Sequence, residues 1–216
     1  MSEKLRSRAP GETAKASGSR EARARWKQNP EAVQANILRV AQEEFAKNGL
    51  SGARVDEIAA RTETSKRMIY YYFGDKEGLY LQALEHAYSE VRATEAQLHL
   101  EDLAPRAALE KLVRFTFDHH NAHEDFIRLV MIENIHHATF LSKSSAIQKL
   151  NITAIDAVTR LYRRGVEDGA FRDGLDPLEL HWQISAFSFF NVSNRHTFAL
   201  NFGETLFTPD GQAALR

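Results

Sequence analysis

Ser65, Lys66, Arg67 and Tyr70 lie close together in the chain and bring two cations, a hydroxyl and a phenol to one short stretch. Ile69 and Phe73, four apart, can bury one side of a helix there, which leaves the four polar residues on its outer face. A short helix with basic and hydrogen-bonding groups at its exposed N-terminal end has the shape that enters a DNA major groove. A plain helical hairpin with a solvated basic end would use the same residue types, so the flanks must decide. A second group, His119, His120 and His123, with His136 and His137 further on, offers imidazole nitrogens. His119 and His123 are spaced to share a helix face as metal ligands. Asn121-Ala122 reads as a break, and no third ligand is fixed by spacing, so neither a metal nor a cofactor is expected.

The elements that would position the basic stretch are legible. Residues 54–61 read as one helix, with Ile58 and Ala59 on its buried side, and Thr62-Glu63-Thr64 as the turn into the next. An earlier helix starts at Asn29-Pro30-Glu31, with an N-cap, a proline at the first position and an acid in the first turn. Val33, Ile37, Leu38, Ala41 and Phe45 recur in it at helical spacing. Asn48-Gly49 closes it, and residues 51–53 form a short loop. Gly74-Asp75 ends the basic helix, and Asp75 can cap a fourth whose apolar stripe is Leu79, Tyr80, Ala83, Leu84, Ala87 and Val91.

Composition narrows the function classes. The 216 residues carry 28 Lys and Arg against 29 Asp and Glu, so total charge does not announce a polyanion partner. Residues 1–30 hold eight basic and three acidic groups, a net +5, which leaves −6 on the remainder. Residues 1–28 have too few bulky apolar side chains to fold alone. They are expected to be a disordered basic arm, either reaching DNA or acting as a solubilising tail. The absence of cysteine excludes a disulfide framework and thiolate chemistry. No signal-peptide run and no spanning apolar segment is present, which points to a cytoplasmic protein with no membrane partner.

With these residues in place, the segment 37–80 resembles the DNA-binding domain of the TetR family of bacterial transcriptional repressors. The resemblance is carried by ILRVAQEEFAKNGL and RVDEIAARTETSKRMIYYYFGDKEGLY, above all by Ile69-Tyr70 followed by Tyr71 to Leu79. That run matches the family's aliphatic-Tyr-x-x-Phe-x-x-Lys-Glu-x-Leu signature. The resemblance implies an all-α fold: a helix-turn-helix DNA-binding domain at 31–91 and a larger helical effector-binding and dimerisation domain at 92–216. It also implies a homodimer on a palindromic double-stranded operator. Lys66 and Arg67 are then the expected readers of base edges, with Arg67 suited to a bidentate bond to guanine. Ser65, Tyr70, Tyr72 and Lys76 are expected to hold phosphates, and Arg54 to do either. Two departures stand out. Glu63 occupies a turn position where the family usually has glycine, at a cost of about 1 kcal/mol in a left-handed conformation. Arg67-Met68 replaces a small pair and widens the basic face.

The C-terminal region reads as helices without strand alternation or a phosphate loop. Pro105 starts one; residues 124–136 are apolar on nearly every side and predict a central, buried helix. Residues 144–168 predict another, and Asp176-Pro177 starts an aromatic helix carrying Trp182, Phe187, Phe189 and Phe190. Aromatics on several faces call for two partner surfaces, an inner core and a second subunit, unless the core is unusually thick. The final residues, 212–216, stop where family members often continue, so the last helix is short or the chain is truncated. The resemblance implies a small-molecule effector among these helices, with Phe115, His119, Phe126, Val130, Met131, Asn134, Trp182 and Phe187 as candidate contacts. Such mixed walls suit a mostly apolar organic ligand. The leading expectation is a ligand-responsive repressor. The alternatives are an activator or interaction protein that keeps the fold, supported by Glu63 alone, and a small helical enzyme, for which no positioned nucleophile–base pair exists.

Overall fold

The computed structural model describes residues 29–216; the expected basic arm at 1–28 lies outside the described residues. Every regular element among the described residues is helical. In chain order these are α1 (Pro30–Gly52), α2 (Val55–Arg61), α3 (Lys66–Phe73), α4 (Lys76–Ala96), α5 (Pro105–Ala122), α6 (Glu124–Ile135), α7 (Ser145–Glu167), α8 (Pro177–Ser193), α9 (Arg195–Phe202) and α10 (Pro209–Leu215).

The helix starts follow from side-chain caps. Asn29 accepts from the Ala32 amide at 3.1 Å, Asp75 from Gly78 at 2.7 Å and Asp176 from Leu178 at 2.8 Å, each satisfying a donor that the first helical turn leaves unpaired. Gly49, at φ 66°, breaks α1 where the sequence places its end, but the chain takes a further helical turn to Gly52 instead of entering a loop at 51. Glu63 sits at φ 52° in the turn between α2 and α3, the left-handed conformation expected there.

One cluster joins the N-terminal helices to the rest of the molecule. Ile37 and Phe45 of α1, Ile58 of α2, Ile69 and Phe73 of α3, and Leu79, Tyr80 and Leu84 of α4 are buried together with Leu129 of α6 and Ile147 of α7. The expected boundary at 91/92 falls inside α4, which runs unbroken from the first core into the C-terminal bundle. A second cluster pairs Ala108 and Leu112 of α5 with Val158 and Leu161 of α7.

One expectation needs correcting. Helix α6 is not enclosed on every side: Ile127, Leu129 and Glu133 are buried, while Ile135 is 69% exposed. It lies along the junction, where Leu129 packs into the N-terminal core and Glu133 meets Tyr80 of α4. Helix α8 leaves Leu178, Trp182, Phe187 and Phe190 exposed, so these side chains are not taken up by the chain's own core.

Candidate nucleic-acid interface and ligand cavity

Helix α3 is anchored by Ile69 and Phe73, and its N-terminus is capped by Ser65, whose Oγ accepts from the Met68 amide at 3.3 Å. This leaves Lys66 and Arg67 exposed in the first turn. They are not equivalent. Lys66 Nζ donates to Asp56 Oδ2 of α2 at 3.1 Å, whereas Arg67 forms no ion pair among the described residues. Tyr70 and Tyr72 lie half-buried against the core. Lys76 Nζ donates to the Ser51 carbonyl at 3.2 Å, so its ammonium rests at the end of α1. Arg54, exposed, precedes α2, and its amide donates to Glu44 Oε1 at 3.0 Å.

Tyr71 is the residue that sequence reading passes over. Its ring is 77% exposed on α3, one position beyond Tyr70 on the same outer side as Arg67. The signal was the period: 67 and 71 are four apart and lie one above the other.

The ligand candidates largely converge. Helices α4, α5, α6 and α8 enclose a cavity of about 580 Å³, and Phe115, His119, Phe126, Val130, Asn134 and Trp182 all line it. Met131 and Phe187 do not. Met131 follows Val130 on α6 and so turns about 100° away, and Phe187 stacks instead on Phe117 at 6.0 Å. Unforeseen are Arg92 and Glu95 of α4 and His120 and His181, which supply the polar wall. Arg92 is ion-paired with Glu95 and donates to Asn151 Oδ1 at 3.2 Å. Tyr88 and Arg92, four apart, continue one face of α4, which could have placed Arg92 from spacing alone.

The ligand atoms of His119, His120 and His123 do not converge on one point among the described residues. His119 and His123 stack face to face with centroids 4.0 Å apart. His119 and His120 are both pushed down to about 4, chiefly by burial; for His119 the rings of His123 and His120 add to this, and Arg92 lowers both further. His181 is lowered by burial and by Arg92. Three metal-ligand atoms converge among the described residues at His99, Glu101 and Asp102, all exposed.

Cavity and interface share their supports. On α6, Phe126, Val130 and Asn134, each four apart, face the cavity. The adjoining face inserts Leu129 into the N-terminal core, and Arg128 Nε donates to the Ala46 carbonyl of α1 at 2.9 Å. The phenol of Tyr80 on α4 donates to Glu133 of α6. Any ligand that displaces α4 or α6 therefore acts on the helices that carry α3.

Two family models match the chain. Residues 37–83 match the one described as bacterial regulatory proteins, tetR family, and residues 105–216 the tetracyclin repressor-like C-terminal domain. The chain is 35% identical over 162 residues to the HTH-type transcriptional repressor NicS of Pseudomonas putida, covering 75% of this chain and 76% of that one. It is 30% identical over 159 residues to the repressor SCO4008 of Streptomyces coelicolor, covering 73% and 77%. Among solved structures, the S. coelicolor regulator SCO4942 superposes with a TM-score of 0.62 at 26% identity, over 85% of this chain and 93% of that one. The fatty acid degradation regulator FadR of Bacillus halodurans shares the fold at 0.63 and 19% identity, over 84% and 93%.

Proposed function

The chain belongs to the TetR family of bacterial transcriptional regulators, and we propose that it binds a palindromic operator as a homodimer and is released from it by a small organic effector. The family is one of DNA-binding regulators rather than enzymes. The observation that carries the effector part is the shared wall: α4 and α6 line the cavity and also enter the core that supports α3. A ligand with unequal affinity for two positions of these helices shifts the population between DNA-competent and incompetent states.

Within this reading Arg67 reads base edges, Tyr71 lies beside it, and Lys66 joins the base contacts once Asp56 releases it. Ser65, Tyr70, Tyr72 and Lys76 hold phosphates and Arg54 the flank. The second subunit covers the aromatic face of α8 and the exposed Leu200 and Phe202 of α9. Two-fold symmetry then sets two α3 helices about 34–36 Å apart, on successive major grooves. No helix among the described residues is long and apolar enough to cross a membrane, in keeping with work on DNA in the cytoplasm.

Footprinting on the DNA that flanks the chain's own gene tests the reading. Two protected half-sites about one helical turn apart are expected. A single unpaired half-site, or uniform protection, contradicts a dimeric operator complex.

A further inference from the structure

The walls of the cavity are unequally provided with charge. Arg92 and Glu95 line it already joined to each other, and no other carboxylate lines it. The remaining titratable groups are His119, His120 and His181, with the phenol of Tyr88. Arg92 Nε, which can only donate, is buried without a hydrogen-bond partner among the described residues, as is Nδ1 of His119. The wall thus offers several nitrogen groups and, beyond the ion-paired Glu95, no anionic acceptor. Around it stand Phe115, Phe126, Trp182, Phe189 and Phe190, rings that suit a flat apolar body.

We propose that this cavity selects an organic acid, with an aromatic body held among the rings and a carboxylate set against Arg92 and the imidazoles. The proposal rests on the ligand-responsive reading above and deepens it by naming the ligand class. A carboxylate supplies the missing acceptors and takes bidentate bonds from a guanidinium. An organic cation would meet Arg92 with its one counter-charge already engaged. A neutral amide supplies one acceptor but no charge.

Proton linkage follows. The imidazoles are neutral near pH 7 because burial, the neighbouring imidazoles in the case of His119, and Arg92 oppose their charging. An anion among them offsets the charge of Arg92 and favours protonation. Binding then takes up a proton, and affinity rises as pH falls while the ligand stays ionised. The groups that also face His119 are His123, stacked on its ring, and Arg39, Glu43, Glu90, Glu124 and Asp125, which line the cleft on its other side.

Titration calorimetry on the full chain, without DNA, tests the ligand class with three probes of one shape: naphthoate, naphthamide and naphthylmethylammonium. The acid is expected to bind at least about tenfold tighter than the amide, the scale of one charge-assisted hydrogen bond. Near neutral pH, its heat should also vary between buffers of different ionisation enthalpy, marking proton uptake. Arg92→Gln, with folding checked by circular dichroism, should remove the acid's advantage and leave amide binding in place. Equal binding of acid and amide, tighter binding of the cation, or binding of none of the three at millimolar concentration overturns the proposal. An acid that binds but does not release the operator contradicts ligand-responsive repression and leaves the ligand class standing.

Discussion

The phenol of Tyr80 on α4 donates a 2.9 Å hydrogen bond to Glu133 Oε1 on α6, and both side chains are buried. The other carboxylate oxygen of Glu133 accepts from the amides of Phe140 and Leu141 at 3.2 and 2.8 Å. Tyr80 also packs edge-on against Phe45 of α1 and Phe140, at 5.0 and 5.3 Å. One buried contact therefore ties the helix that follows α3 to the helix that walls the cavity. Burial, followed by the hydrogen bond to Glu133, pushes the Tyr80 phenol above its usual range, so the bond keeps its proton throughout the neutral region.

Tyr80→Phe keeps the ring and removes the donor to a buried carboxylate. It should lower stability by about 2 kcal/mol, read as a shift in the urea midpoint with unchanged slope. Glu133→Ala should cost more, because it strands the phenol and two amides together. A smaller loss for Glu133→Ala than for Tyr80→Phe would show that this carboxylate is not what joins the helices.

Stability should depend on pH in a defined window. His119 and His120 sit near 4 in the folded chain against 6.5 unfolded. A depressed histidine means that the unfolded chain binds the proton more tightly. Their contribution is fully present above about 6.5 and is lost as pH falls toward about 4. Denaturant midpoints measured across that range should fall for the parent chain, and fall less steeply for His120→Gln. An equal slope in both would contradict the burial assigned to His120.

Glu63 holds φ 52° without being glycine. Glu63→Gly removes that strain and should raise stability by about 1 kcal/mol. It also removes a negative charge from the turn that leads into α3, so DNA affinity should rise most at low salt, where charges near phosphates act furthest. A destabilised Glu63→Gly chain in urea unfolding would mean that the side chain contributes more than the backbone costs.

Phe187 is exposed on α8 and lies outside the cavity. Phe187→Glu should shift sedimentation velocity from dimer toward monomer at micromolar concentration, since burying an unpaired charge at an apolar interface is costly. Retention of the parent sedimentation coefficient would remove the aromatic face of α8 from the interface.

What was readable in advance divides along physical lines. Caps and period are local, so Asn29, Asp75 and Asp176 announced their helices and Ile69 with Phe73 announced which side of α3 is buried. The left-handed turn at Glu63 came from the family's glycine at that place. Partner choice is not local. Nothing in the chain order says that Lys66 meets Asp56, that Lys76 folds back on Ser51, or that Arg92 and His181, 89 residues apart in sequence, line one cavity. The openness of α6 was missed because an apolar run records how much surface a helix can bury, not whether a neighbour is there to bury it.

The most direct test of the account is the DNA preference of Arg67. Fluorescence anisotropy should compare the DNA flanking the chain's own gene with a scrambled duplex, over a series of salt concentrations, for the parent chain and Arg67→Ala. The parent should prefer the flanking DNA by a factor on the order of a thousand or more, above a background that weakens steeply with salt. Arg67→Ala should lose about 1–3 kcal/mol per half-site on the flanking duplex and much less on the scrambled one. Equal loss on both duplexes would contradict base reading by Arg67, and equal binding of both by the parent chain would contradict sequence-specific regulation itself.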